Sequence, residues 1–193
     1  MFCARKELEN ESDVEQKLIW PLLTTAPPRG LGFASIEIKT KANIKRLKIG
    51  KGKDEKLYYP DYVVILNGVP ALVVEAKHPH EDVHEGLREA RLYAAELNNS
   101  LPSGVNPCAR VVASNGIVTV SCPADTDLQD FELRLDDIDM ASERYAHFVE
   151  ASCRSKCKET VDKALAKLTS RPLFQAQKFL GGQSVRNEEI GYN

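Results

Sequence analysis

No apolar run in this 193-residue chain approaches the roughly 18 residues a membrane-crossing helix needs, so a spanning helix is not expected. Aromatic residues are sparse at 7%, and the single tryptophan, Trp20, reads as core. There is no Cys-x-x-Cys pair. The five cysteines (Cys3, Cys108, Cys122, Cys153 and Cys157) are odd in number and irregularly spaced. That argues against a disulfide framework and fits a reducing, cytoplasmic setting. Cys153 and Cys157 share a helical face, but no second pair completes a zinc site, so they read as ordinary thiols. No Gly-x-x-x-x-Gly-Lys phosphate loop occurs, which excludes ATP chemistry from this chain. No base-reading element is evident either, so sequence preference on a nucleic acid would come from a partner. The opening MFCARKELENE carries charge where a secretory leader would be apolar. Internal repeats and low-complexity tracts are missing too.

What is present is an ordinary globular composition, 42% apolar and 28% charged, of a length that suits one domain with an appended segment. The net charge of −2 conceals an asymmetry. Between Lys39 and Lys56 lie Lys41, Lys45, Arg46, Lys48, Lys51 and Lys53, opposed only by Asp54 and Glu55. Residues 125–143 reverse this with Asp125, Asp127, Asp130, Glu132, Asp136, Asp137, Asp139 and Glu143. The basic stretch reads either as a solvated loop or as a surface that steers a polyanion.

Residues 11–24 have helical periodicity through Val14, Leu18 and Leu22. Ser12 with Glu15 forms a candidate capping box, and Pro21 is expected to end or kink the helix. FASIEIK, residues 33–39, alternates like a first strand. Residues 40–56 read as a loop or splayed hairpin. Two apolar strands follow over 58–66 and 69–77, then a helix over 81–98. Short strands are expected at 109–113 and 117–121. One long helix or two should cover 139–169, stopped by Arg171-Pro172. The order α-β-β-β-α-β-β-α describes an α/β domain, a mixed central sheet flanked by helices. Residues 1–135 would form the core, 136–170 a helical extension, and 171–193 a connection to a following domain.

The most informative stretch is YYPDYVVILNGVPALVVEAKHP, residues 58–79. Asn67-Gly68 between two β-branched runs is a strong hairpin signal. If Leu66 pairs with Val69 or Pro70, Asp61 falls opposite Val74 or Glu75. Facing residues of an antiparallel pair lie roughly 5 Å apart. Glu75 and Lys77 leave the same strand face. The hairpin thus gathers two carboxylates and an ammonium at the end of an apolar sheet. Burying such charges is costly unless they pair or hold a metal.

Pro60-Asp61, a hairpin, Glu75-Ala76-Lys77, then a helix and a strand resembles the PD-(D/E)XK nuclease superfamily. The opening NESDVEQKLIWPLL and the Ala113-Ser114-Asn115-Gly116 strand end are similar to one branch, the N-terminal nuclease domain of type I restriction enzyme R subunits. The resemblance covers residues 11–121 and implies a restriction-endonuclease-like fold. It also implies Mg²⁺-dependent hydrolysis of DNA, with Mn²⁺ as a substitute. Asp61, Glu75 and the Ala76 carbonyl would hold the metal. Lys77 would act on the attacking water or the transition-state charge. Glu11 best matches the family's helix carboxylate, with Glu15 one turn away on the same face.

Relatives carry Gln-x-x-x-Tyr on the following helix. Here the stretch reads Glu89-Ala90-Arg91-Leu92-Tyr93, so Tyr93 is kept and Glu89 replaces the glutamine. An ionised Glu89 cannot donate a hydrogen bond, but it could pair with Lys77. Tyr93 on a helix is more often half-buried core than functional. His78, His80 and His84 follow the lysine, but Pro79 and the turn into the helix break metal-ligand spacing, so exposed histidines are expected. Lys45, Arg46, Lys48, Lys51 and Lys53 are the candidate DNA contacts. The expected partners are DNA, a downstream translocase or sensor domain and further subunits of a restriction or antiphage complex, with no membrane. The competing reading is an inactive nucleic-acid-binding or interaction module of the same fold, and RNA is not separated from DNA.

Overall fold

The computed structural model describes residues 2–41, 47–49, 56–126 and 128–169, with backbone alone for 47–49, 56–58 and 169. The first long element, helix α1 (11–24), has three parts. An α-turn over Glu11–Asp13 leads into a π segment over Val14–Ile19 and a closing α-turn over Trp20–Thr24. Its cap is Asn10, not Ser12: the Asn10 side chain accepts from the Asp13 N–H at 3.0 Å. Ser12 instead takes a bond from Gln16 at 2.9 Å. Pro21 does not end the helix. A proline ring clashes with the carbonyl four residues back in a regular α-helix, and the widened π turn ahead of Pro21 relieves that clash. Val14, Leu18, Ile19, Leu22 and Leu23 are all buried.

The expected 33–39 strand shrinks to β1 (Ile38–Thr40). Ser35–Glu37 form a 3₁₀ turn because Glu37 bonds back to the Ala34 N–H at 3.0 Å. Arg154 grips the same Glu37 carboxylate with two nitrogens. The 40–56 segment contributes β2 (Leu47–Ile49), which pairs antiparallel with β3 (Lys56–Tyr58) in a separate ribbon. The strand expected from residue 58 therefore starts later, as β4 (Tyr62–Leu66), past Pro60. Strand β5 (Val69–Ala76) completes the hairpin around Asn67-Gly68, where both residues have positive φ as the tight turn requires.

Helix α2 (Val83–Asn99) then crosses the sheet to β6 (Arg110–Ser114), which lies parallel to β5. Strand β7 (Val118–Pro123) returns antiparallel to it, and β8 (Phe131–Arg134) pairs with β7. Strand β8 was not expected, because its charged positions blend into the acidic 125–143 stretch. Its signal was the inward alternation of Phe131, Leu133 and Leu135. The C-terminal helix is two helices, α3 (Glu143–Ser152) and α4 (Arg154–Thr169), broken where Cys153 turns extended.

The main sheet thus has six strands in the order β1-β4-β5-β6-β7-β8, mixed in direction. One face carries α1, α3 and α4: Val14 and Leu18 share a core with Leu72, Val74, Phe148 and Val161. The other face carries α2, where Leu87, Ala90 and Tyr93 pack on Val73, Val111 and Val120. The N-terminal arm is tied to the last helices. The Tyr145 hydroxyl donates to the Arg29 carbonyl at 2.6 Å, and the Arg154 N–H donates to the Leu31 carbonyl at 2.8 Å. Among the described residues no helix is long and apolar enough to cross a membrane. All five cysteines are buried free thiols.

Asn115 closes the β6–β7 turn. Its side-chain oxygen accepts from the N–H groups of Ile117 and Val118 at 3.0 and 2.9 Å. Its amide donates to the Glu81 carbonyl at 2.9 Å, anchoring the segment that runs from β5 into α2. Replacing Asn115 with alanine should cost about 2 kcal/mol, because three part-buried hydrogen bonds are lost together. Urea unfolding of the two proteins measures it.

Candidate active site

The hairpin register decides which carboxylates meet. Leu66 faces Val69 and Ile65 faces Pro70, but Val64 faces Leu72, so Ala71 is bulged out. Below the bulge Tyr62 faces Val74. Continuing the ladder by one residue sets Asp61 against Glu75, the second of the two registers the sequence allowed. A bulge of this kind re-aims the side chains beyond it. Here it brings two acids together where an unbroken ladder would have paired Asp61 with Val74.

Both acids are buried, Asp61 at 2% and Glu75 at 5% exposure. The Ala76 N–H donates to Asp61 Oδ2 at 2.6 Å, and the Asp61 N–H donates to Glu75 Oε2 at 3.4 Å. Asp61 is pushed up by burial, against the pull of Lys41 and the Ala76 N–H. Glu75 is pushed up to about 9, by burial first and by the Asp61 charge second. Without a cation, burial and mutual repulsion therefore favour a shared proton on the Asp61–Glu75 pair.

Helix α1 supplies two more acids. Glu11, Glu15 and Asp61 each offer a carboxylate oxygen, and the three oxygens lie within 4.8 Å of one another. Both Glu11 and Glu15 therefore reach Asp61. Glu15 is the more enclosed, with 24% side-chain exposure against 41% for Glu11. Burial and the Asp61 charge raise its pKa. The π segment that begins at Val14 sets the pitch of this part of the helix. The Glu15 carbonyl accepts from the Tyr62 hydroxyl at 3.4 Å, which fixes α1 to β4. Lys41, just past β1, stands among the acids, 3.3 Å from Glu11, 3.4 Å from Glu15 and paired with Asp61 Oδ1.

Lys77 leaves β5 toward α2. Its ammonium donates to Glu89 at 2.5 Å, the pairing left open by the exchange of glutamine for glutamate. Burial opposes the charge on Lys77, but Glu89 outweighs it and the ammonium stays protonated. Gly86 makes the approach possible. A Cβ there would lie 3.0 Å from Lys77 Cγ and 3.3 Å from its Cε. A glycine inside a helix costs about 1 kcal/mol relative to alanine, and the passage of the lysine stem gives it a reason.

Other expected residues stand elsewhere. Tyr93 is 3% exposed and sits in the core between α2 and the sheet. His80 and His84 are exposed, and His78 packs against His80 with ring centroids 5.3 Å apart. Lys48 lies on β2, where only the backbone is described, and Lys45, Arg46, Lys51 and Lys53 fall outside the described residues. The sequence reading missed Lys41 as a member of the cluster and Gly86 as the floor under Lys77. Lys41 gave no signal beyond its place in a basic run; Gly86 did, as a lone glycine in an otherwise regular helical pattern.

The donor set suits a hard divalent cation. It is all oxygen, anionic, and gathered at one end of the sheet. Three of its acids, Glu15, Asp61 and Glu75, are otherwise disfavoured as charges by burial, a penalty that a bound cation offsets.

A mixed six-stranded sheet with helices on both faces and this hairpin at one end is a restriction-endonuclease-like domain bearing the PD-(D/E)XK constellation. The family model for the type I restriction enzyme R protein N terminus matches residues 9–129, more than half of the chain. The chain belongs to that family, the PD-(D/E)XK nuclease domain of type I R subunits. No curated protein and no solved structure matches it.

The raised Glu75 pKa fixes the sign of a pH effect. As pH rises from the ordinary value of 4.5 toward about 9, the unfolded chain releases this proton while the fold retains it. The metal-free fold therefore loses stability across that window. Glu75→Gln removes the ionisation. Its melting temperature should fall less than wild type between pH 5 and 9 in the presence of chelator, as thermal denaturation followed by circular dichroism can establish.

Proposed function

We propose that this domain is a Mg²⁺-dependent endonuclease that hydrolyses DNA phosphodiester bonds within a larger restriction or antiphage defence protein. The observation that carries the reading is that the buried Asp61 meets the Glu11 and Glu15 carboxylates of α1 while its N–H donates to the buried Glu75, two residues before Lys77, in a chain of this family. Asp61, Glu75 and the Ala76 carbonyl would hold the ion, with Glu11 or Glu15 reaching it directly or through water. Mg²⁺ there supplies Lewis-acid activation of water and neutralisation of phosphate charge. Glu89 and the Gly86 passage hold Lys77 so that its ammonium stays charged at the edge of the cluster. From there it orients the attacking water or offsets charge on the phosphorus oxygens as the new P–O bond forms and the bond to the leaving sugar oxygen breaks. The basic 39–56 segment would track the phosphate backbone without reading bases.

Plasmid cleavage in Mg²⁺ or Mn²⁺ tests the reading. Wild type should cut. Glu75→Ala should not, and Lys77→Ala should lose at least about 10²-fold in rate while keeping its fold. Metal binding without cutting in wild type would leave a nuclease awaiting a trigger; neither binding nor cutting would favour the interaction module. Replacing Lys45, Arg46 and Lys48 together should weaken DNA binding. It should also lower the slope of log affinity against log salt by about 0.9 per lost phosphate contact, measured by fluorescence anisotropy. An unchanged slope would return the segment to solvent.

A further inference from the structure

Lys41 is the residue of the cluster that the proposed chemistry does not use. Its ammonium lies among the same three carboxylates that would receive a cation, and pairs with the most deeply buried of them. Its place is set by the fold. Thr40, the residue before it, is registered against Tyr62, the residue after Asp61. Lys41 therefore leaves the end of β1 beside the start of β4. The side chain is 47% exposed, whereas that of Asp61 is 1% exposed. The lysine can withdraw into solvent and the aspartate cannot.

One cation fits this space. Oxygens that share a divalent ion at about 2.1–2.5 Å lie within roughly 5 Å of one another, the span of these three. An ammonium and a divalent ion in the same oxygen cage would repel at a separation of a few ångströms. We propose that Lys41 is the resident counter-cation of the metal site: it neutralises Glu11, Glu15 and Asp61 until a divalent ion displaces it. The inference rests on the metal-site reading above and adds a regulation to it. In the metal-free state Lys41 keeps the ligands close and makes their mutual repulsion bearable. It also sets a threshold, because the ion binds only by breaking three ion pairs.

The direction of one change separates this role from a purely structural one. A lysine that merely props the site would weaken metal binding when removed; a competitor would strengthen it. Mn²⁺ titration calorimetry on the metal-free chain should show Lys41→Met binding about tenfold more tightly than wild type, a change of about 1.4 kcal/mol. A second measurement needs no variant. Peptide mapping after brief acylation should show the Lys41 amine becoming more reactive when Mn²⁺ is added to wild type. Equal or weaker Mn²⁺ binding by Lys41→Met, or an amine whose reactivity ignores Mn²⁺, would overturn the inference and leave the metal site standing. Absence of Mn²⁺ binding in both proteins would overturn the inference and the metal-site reading together.

Discussion

Two carboxylates forced together under cover are the constraint from which the rest of this site follows. Asp61 and Glu75 face one another because a single bulged residue, Ala71, shifts the ladder beneath them. Neither is comfortable as an anion there, since burial raises both pKa values. Everything nearby answers that discomfort. The Ala76 N–H and Lys41 support Asp61, a proton shared with Asp61 satisfies Glu75, and Glu89 takes the charge of Lys77. The cluster is thus held by a backbone N–H and neighbouring ammonium groups, and its stability depends on the same few atoms that give it its charge.

The scaffold serves this end by bringing distant segments to one strand terminus. Helix α1 delivers Glu11 and Glu15 while its apolar stripe packs on the sheet. On the opposite face, α2 delivers Glu89 and leaves a gap at Gly86 for Lys77. Asn115 stitches the turn after β6 to the start of α2, so the two sides are braced through one amide. The acids and the lysine reach the cluster from different layers, and each layer has its own core to hold it.

Much of this was legible in advance. The Asn-Gly turn, the two apolar strands around it, and the helix before and after gave the fold class and the meeting of Asp61 with Glu75, because each depends on local chemistry. The bulge was not legible, since nothing in VPALVV distinguishes a regular strand from one that skips Ala71. The π segment was not either: Pro21 announced a disturbance, but the helix absorbed it by widening instead of stopping. Strand β8 was hidden by charge, because its outward Glu132 and Arg134 resemble the acidic loop around them. Lys41 illustrates the limit of linear reading. Its partners lie thirty, twenty-six and twenty residues away in sequence, and only the pairing of β1 with β4 makes them neighbours.

The clasp between the N-terminal arm and the last two helices has a consequence for the order of assembly. Val14 and Leu18, which seat the helix bearing Glu11 and Glu15, share their core with Phe148 and Val161. The arm after that helix is fastened by Tyr145 and Arg154. All of the acids of the cluster are made early on the ribosome, but their support is not finished until α4 has emerged and docked. A nascent chain would hold every acid of the cluster and still lack a shaped site until the whole domain has closed.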